Sequence, residues 1–129
     1  MNKILIEVSV GELLDKISIL EIKKEKIKNI DNLKFINDEY LVLKKQLDEN
    51  IKLNQEIKTL YGELKAINEK LWNIEDNKRM CEKNSDFGEK FIKLSRDVHF
   101  LNDDRARIKL DINNKTGSKI KEIKQYTNY

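Results

Sequence analysis

Two ladders of apolar residues, each spaced alternately by three and four positions, dominate the hydrophobic pattern of this chain. The first ladder consists of Leu53, Ile57, Leu60, Leu64, Ile67, Leu71 and Ile74. The second consists of Phe91, Leu94, Val98, Leu101, Arg105, Ile108 and Ile112, with an arginine at one apolar place. Such spacing puts one apolar stripe along each of two helices. It predicts an all-α fold of antiparallel helical hairpins or a bundle, with long coiled-coil-like helices.

Start and stop signals divide the chain into a short arm, four helices and a tail. Ser9 and Glu12 form a capping box that begins the first helix. Gly117 suits the left-handed position that ends the fourth helix. The β-branched segment 3–8 is too short for a helix and is predicted to be an extended arm. As a single helical domain over residues 1–129, the chain is predicted to have helices at 10–28, 33–48, 53–83 and 87–115, and a tail at 119–129.

Four details of this division depend on weaker signals. Asp31 or Asn32 is expected to cap the second helix. The apolar register fails near 48–52, which means either a turn or one long helix with a stammer, and the polar residues there favour a turn. The tail is predicted to be a short helix followed by an irregular end that docks its tyrosines. The arm has no partner strand in the chain, so it either packs alone or pairs with the same segment of another subunit.

The charge balance limits the possible partners of the chain. Charged residues make up 38% of its 129 residues, yet the formal net charge is only +3. Acids and bases alternate as they do on solvated helix faces. A protein that binds a nucleic-acid duplex normally shows a basic stripe, and only a modest lysine patch near 115–124 resembles one. Nucleic-acid binding is therefore the least favoured function.

Cysteine use and hydropathy indicate the cellular compartment. One cysteine, Cys81, excludes an intrachain disulfide and gives no metal cluster. No apolar run approaches the roughly 20 residues that span a bilayer, and the N-terminus does not resemble a signal segment. We therefore expect a cytoplasmic protein that has no membrane contact and no cofactor.

The seam between the third and fourth helices carries the candidate ligand-binding residues. These are Trp72, Glu75, Arg79, Arg96, His99, Asn102 and Arg105. Arg105 is the most informative, because a guanidinium in an apolar seam must be paired or it destabilises the fold. Glu75, Asp76 and Asp103 are the carboxylates considered as its partners. Arg105 therefore either forms a buried pair that fixes helix register, or builds an anion site together with Arg96 or Arg79.

The sequence supports no catalytic or metal-binding assignment for any residue. His99 is the only histidine, so a two-histidine metal site cannot form within one chain. Ser95 lies one turn from His99, but a helical serine–histidine pair without an oxyanion hole is weak support for catalysis. Trp72 is typical of either a core anchor or a ligand platform. Whether the protein is an enzyme stays open.

Several strings of the sequence resemble a family of short, uncharacterised helical proteins. The strings are residues 8–23, 68–76, 100–109 and 117–126. The family resembled occurs in bacteria and in some of their phages, sometimes near genes for surface-glycan synthesis. The likeness covers most of the chain and is weakest over 28–55. It implies a single compact unit of unknown function and brings no activity with it.

Two hypotheses for the function follow. The first is a non-enzymatic helical interaction protein that associates with itself, because the first helix is apolar on two sides and the arm lacks a partner. The second is a small enzyme or binder of an anionic metabolite, such as a sugar nucleotide or sugar acid, at the seam of the third and fourth helices. The surroundings of Arg105 separate them: a protein carboxylate favours the first, and an open pocket favours the second.

Overall fold

All regular secondary structure of the protein is α-helical in the computed structural model, which describes residues 2–129. Met1, the first residue of the predicted domain, lies outside that range. The four helices are α1 (Val10–Lys26), α2 (Ile30–Asn50), α3 (Gln55–Lys83) and α4 (Glu89–Thr116). The predicted all-α fold is confirmed. Within residues 2–129, none of the helices combines the length and the apolar character needed to cross a bilayer.

Helices α3 and α4 form a long antiparallel hairpin. Near its open end, Lys115 Nζ lies 2.8 Å from Glu56 Oε1. Near its turn, the ammonium of Lys78 lies 5.8 Å from the ring centre of Phe91. The two apolar ladders meet in one core, where Leu60 and Ile108 pack against Ile57, Leu64 and Ile112. Their most deeply buried members are Ile57, Leu64, Leu71 and Ile112.

Helix α1 crosses this hairpin, with its first half against α4 and its second half against α3. At the start, the Gly11 N–H donates to Asn113 Oδ1 at 2.7 Å. Further along, Lys65 Nζ donates to Glu21 Oε2 at 3.1 Å. Close approach of α1 to α4 requires a glycine, because a Cβ on Gly11 would lie 2.6 Å from the backbone oxygen of Lys109. The main core forms where the helices meet and contains Leu14, Ile17, Leu47, Ile57, Leu64 and Ile112.

Helix α2 packs mainly on α1 and supplies the outer layer of the fold. Lys24 of α1 places its ammonium 4.1 Å from the ring centre of Tyr40. Leu47 reaches the main core, where its side chain is 3% exposed. The opposite side of the helix keeps an apolar surface in solvent. That surface, the outer face of α2, consists of Ile30, Phe35, Leu41 and Val42.

Several helix ends differ from the predicted ones, and at α2 a different residue caps the helix. Asn29, not Asp31 or Asn32, caps α2: its Oδ1 accepts the N–H of Asn32 at 3.0 Å. Helix α2 therefore begins at Ile30 instead of 33, and α1 ends at Lys26 instead of 28. The ends at 48, 53, 87 and 115 likewise move by one or two residues. Residues 51–54 separate α2 from α3, so this region holds two helices and not one with a stammer.

The capping box at α1 is half formed. Ser9 Oγ accepts the N–H of Glu12 at 3.0 Å, as the motif requires. The Glu12 carboxylate does not return to the cap, because it binds Lys109 Nζ at 2.7 Å. At the other end, Gly117 has φ +67° and ends α4 in the left-handed conformation.

The arm and the tail have no regular structure. In the arm, Ile4, Leu5 and Ile6 are 90%, 87% and 77% exposed. The short helix predicted in the tail is wrong, since residues 118–129 form none. A helix of so few residues gains few hydrogen bonds for its nucleation cost. Contacts with α4 hold the tail instead: Glu122 binds Lys109 Nζ at 3.2 Å, and the hydroxyl of Tyr129 donates to Asp103.

A pair of glycine substitutions tests the crossing of α1 over α4. Gly11→Ala is expected to lower the free energy of unfolding by about 1–3 kcal/mol, because its Cβ meets backbone that must shift. Gly62→Ala is the matched control: nothing lies within 4 Å of a Cβ there. The control is expected to raise stability by up to about 1 kcal/mol through helix propensity. Urea unfolding followed by circular dichroism measures both; equal effects would contradict the close approach.

Candidate functional site

A buried ion pair between α1 and α4 lies at the centre of the candidate site. Arg105 Nε lies 2.9 Å from Asp15 Oδ1, and Arg105 Nη2 lies 2.5 Å from Asp15 Oδ2. Asp15 is 1% exposed, so the carboxylate has left water completely. Two parallel hydrogen bonds of this kind are the strongest arrangement that arginine and a carboxylate form. The partner of Arg105 is therefore not Glu75, Asp76 or Asp103, and the sequence-based choice among those three is wrong.

Helix α3 completes the surroundings of the Asp15 carboxylate. Asn68 Nδ2 donates to Asp15 Oδ1 at 2.9 Å and to Ser18 Oγ at 2.8 Å. The Ser18 hydroxyl in turn donates to the Asp15 carbonyl oxygen at 2.7 Å. Among residues 2–129, no buried side-chain nitrogen or oxygen lacks a hydrogen-bond partner. The pair is thus part of a saturated polar network that joins three helices.

Lys109 extends this network towards the tail. Its Nζ lies 2.7 Å from Glu12 Oε2, 3.2 Å from Glu122 Oε2 and 3.9 Å from Asp15 Oδ2. Lys109 is one turn beyond Arg105, so both cations project from the same side of α4. The side chain of Lys109 is only 9% exposed, and three carboxylates surround it. The network therefore holds α1, α4 and the tail together.

The protonation states of this network follow from its geometry. Burial alone would raise the pKa of Asp15, but hydrogen bonds from Arg105 and Asn68 lower it more. The positive charges of Arg105 and Lys109 add to the lowering, so the pKa of Asp15 lies below its ordinary value. The hydrogen bond to Asp15 raises the pKa of Arg105. Burial opposes the charge of Lys109, yet contacts with Glu12 and Asp15 raise its pKa. All of these groups are ionised at neutral pH.

An open cleft of about 440 Å³ lies beside the ion pair, between α1, α3 and α4. We call it the Trp72 cleft. Its apolar lining comes from Ile19 and Ile22 of α1 and from Leu71 and Trp72 of α3. The polar lining consists of Asn68, Glu75, Asp76, Arg79 and Arg105. The cleft thus combines an apolar floor with a charged rim, which is the usual composition of a binding site.

The charges on the rim are not equivalent. Arg79 Nη1 lies 3.0 Å from Glu75 Oε2 on its own helix. Arg105 is neutralised by Asp15. Asp76 has no salt-bridge partner among residues 2–129. The unpaired charge on the rim is therefore negative, although two arginines line the cleft.

The structure brings together only part of the predicted ligand-binding set. Trp72, Glu75, Arg79 and Arg105 line the Trp72 cleft. Asn102 borders it, since its Oδ1 accepts a hydrogen bond from Arg105 Nη1 at 3.4 Å.

His99 and Arg96 lie elsewhere on α4. The ring of His99 packs on Phe100 and Tyr129, with centres 4.2 and 5.3 Å away, and Arg96 lies 6.0 Å from the Phe100 ring centre. An anion site built from Arg105 together with Arg96 is therefore not assembled in the cleft. Arg79 is the arginine that shares the cleft with Arg105.

Sequence reasoning missed Asp15, Lys109 and Glu122. Asp15 carried a usable signal, because it lies on the same side of α1 as Gly11, Ser18 and Ile22, all of which are buried. An acid on a buried stripe requires a cation from another helix. No group of three or more His, Cys, Asp and Glu residues in the described part of the chain is placed to hold a metal ion.

Fold and site together define an all-α protein in which a buried ion-pair network fixes three helices beside an open cleft. Over residues 4–129 the chain matches a family described as "Family of unknown function (DUF6165)", and it belongs to that family. Neither a comparison with curated proteins nor one with solved structures found a match.

Replacing Asp15 by asparagine tests the network and its pH dependence. Asp15→Asn is expected to lower the free energy of unfolding by about 3 kcal/mol at neutral pH, because it leaves the partly buried guanidinium of Arg105 without its carboxylate. The folded pKa of Asp15 lies below the unfolded value of 3.8, so its contribution is present above that value. As the pH falls through the folded pKa, the contribution is lost and the difference between wild type and variant shrinks.

Urea unfolding from neutral to acidic pH measures this difference. Asp104→Asn is the matched control, because Asp104 pairs with Arg107 on the exposed side of α4. The control is expected to cost less than about 1 kcal/mol. Equal losses for both variants, or a difference that grows as the pH falls, would show that Asp15 is not the anchor of the network.

Proposed function

We propose that this protein is a helical interaction protein that associates with itself. The arm is the observation that carries the proposal. Ile4, Leu5 and Ile6 expose at least three quarters of their surface, with the lowest value 77%. Burying one such side chain fully contributes about 1.5–3 kcal/mol. An uncovered apolar segment with free backbone N–H and C=O groups favours contact with another chain.

A second apolar surface supports the same proposal. On the outer face of α2, Ile30 is 82% exposed and Phe35 is 73% exposed. Leu41 and Val42 of the same face are 64% and 61% exposed. Aromatic and aliphatic side chains in such a group are typical of protein–protein contacts. Self-association gives both surfaces a cover without requiring any other partner.

Further parts of the proposal rest on the sequence. Membership in a family of unknown function specifies no partner. The resemblance to proteins of bacteria and phages is the ground for proposing that origin. A cytoplasmic location, with Cys81 kept as a free and buried thiol, belongs to the same proposal. So does a coiled-coil-like packing of α3 and α4.

Sedimentation velocity tests self-association directly. The wild-type protein is expected to sediment as a dimer or larger species at micromolar concentration and to dissociate on dilution. The double substitution Ile4→Ser and Ile6→Ser is expected to weaken association, because it removes apolar surface that becomes buried in the contact. Ile92→Ser is the control, since Ile92 is 55% exposed on α4 and distant in sequence from the arm. A wild-type monomer at every concentration would overturn the proposal.

A second candidate function is the binding of an anionic metabolite in the Trp72 cleft. The observation that favours it is the presence of two guanidinium groups, Arg79 and Arg105, in the lining of one cleft. The pair of Arg79 with Glu75 is exposed, so a phosphate or carboxylate could replace Glu75 at small cost. Arg105 would share its remaining N–H groups with such a ligand while it stays bound to Asp15.

Thermal unfolding with candidate ligands tests this second function. The resemblance to proteins encoded near surface-glycan genes makes a sugar nucleotide and a sugar acid the first probes, for example uridine diphosphate glucose and glucuronate. Binding is expected to stabilise the folded state by RT ln(1 + L/Kd), where L is the ligand concentration, so Tm rises with the logarithm of that concentration once it exceeds Kd. Arg79→Met is expected to abolish the rise, whereas Arg107→Met, outside the cleft, is expected to leave it unchanged. No rise in Tm for the wild-type protein would reject the candidate.

A further inference from the structure

We propose that the arm of one copy occupies the Trp72 cleft of a second copy of this chain. The inference rests on the self-association proposed above and adds which two surfaces meet. Three observations support it: the charges of the arm and cleft are complementary, their apolar surfaces match, and the arm leaves α1 in a position that disfavours its own cleft.

The complementary charges are Lys3 and Asp76. Asp76 is the rim residue whose charge has no partner among residues 2–129, because Glu75 neutralises Arg79 and Asp15 neutralises Arg105. Lys3 is exposed in the arm and likewise has no salt-bridge partner within that range. A cleft with an unpaired carboxylate favours a ligand with a cation next to its apolar part. The arm has this order, with Lys3 directly before Ile4.

The apolar parts of arm and cleft also correspond. In an extended chain, Ile4 and Ile6 project to the same side. That side would cover the apolar lining made by Ile22 and Trp72. The volume of the cleft is about 440 Å³. The flexible stem of Lys3 would then carry its ammonium from the other side of the arm to the rim. Extended peptides that place alternate side chains in a groove are bound in this manner by many domains.

The start of α1 favours a second copy over the same chain as the source of the arm. Ser9 is 3% exposed and caps α1, and the Val10 N–H donates to Ser118 Oγ at 3.2 Å. Ile19, in the cleft lining, lies nine residues after Val10, which is about 13 Å further along the helix. The arm would have to turn back directly before its cap to reach the cleft of its own chain. Exchange of arms between two copies fills both clefts and gives a closed, two-fold dimer.

Charge reversal in the full-length protein tests the contact in trans. In a homodimer, Lys3→Glu places two acids against each other, and Asp76→Lys places two bases against each other. Each variant alone is therefore expected to associate at least about tenfold more weakly than the wild-type protein. A mixture of the two variants creates a heterodimer with a Lys3–Asp76 contact and a reversed Glu–Lys contact. The mixture is therefore expected to regain association. Sedimentation velocity measures association, and the emission of Trp72, the single tryptophan, reports on the cleft.

Glu63→Lys is the matched control, since it changes the net charge as much as Asp76→Lys does and lies on an exposed position of α3 outside the cleft lining. Asp38→Lys is a separate probe of the outer face of α2, where Asp38 is exposed. Both tested residues are exposed, and circular dichroism verifies that each variant is folded. The expected result is recovery on mixing, no effect of the control, and a red shift of Trp72 emission when wild-type dimers are diluted.

Three other results would overturn the inference in distinguishable ways. If the wild-type protein associates but the mixture shows no recovery and Trp72 emission does not change, self-association stands and the contact lies outside the cleft. Weakening by Asp38→Lys but not by Asp76→Lys places the contact on the outer face of α2. A wild-type monomer at every concentration removes self-association and this inference together.

Discussion

The buried ion pair of Asp15 and Arg105 is the interaction on which the arrangement of the helices depends. A carboxylate that is 1% exposed is tolerable only if the protein replaces the water it has lost. Arg105 from α4 supplies two donors, and Asn68 from α3 supplies a third. Because these donors come from different helices, α1 can satisfy its acid only where it crosses both. Apolar contacts hold the helices together, and the ion pair fixes where they cross.

The same pair determines the character of the cleft. Arg105 lines the Trp72 cleft, but Asp15 already neutralises its charge from inside the protein. Arg79 is similarly paired with Glu75. The rim carries two arginines and two acids, and it therefore presents Asp76 as its unpaired charge. Arg105 can therefore be structural while the cleft binds a partner, because the arginine pairs with Asp15 and also lines the cleft.

Sequence periodicity predicted the elements of the fold well and the partners of the site poorly. The ladders of α3 and α4 determine which side of each helix is buried, so the hairpin and the need of Arg105 for a carboxylate could be predicted. The partner itself was harder to predict. The buried side of α1 marks Asp15 as an acid that needs a cation, but which cation it meets depends on the crossing of α1, which no local pattern encodes. The same reason hid the role of Lys109. Asn29 was overlooked because several residues near it are equally able to cap a helix.

A double-mutant cycle on Asp15 and Arg105 tests most directly whether this pair holds α1 on the hairpin. Asp15→Leu and Arg105→Met, alone and together, are compared with the wild-type protein by urea unfolding. Each single variant is expected to be strongly destabilised. Asp15→Leu leaves the partly buried Arg105 guanidinium without its carboxylate, and Arg105→Met leaves the buried Asp15 carboxylate with only Asn68 and, at 3.9 Å, Lys109. The double variant is expected to recover most of that loss, with a coupling free energy of about 2 kcal/mol or more. Losses that simply add would contradict the central role of the pair.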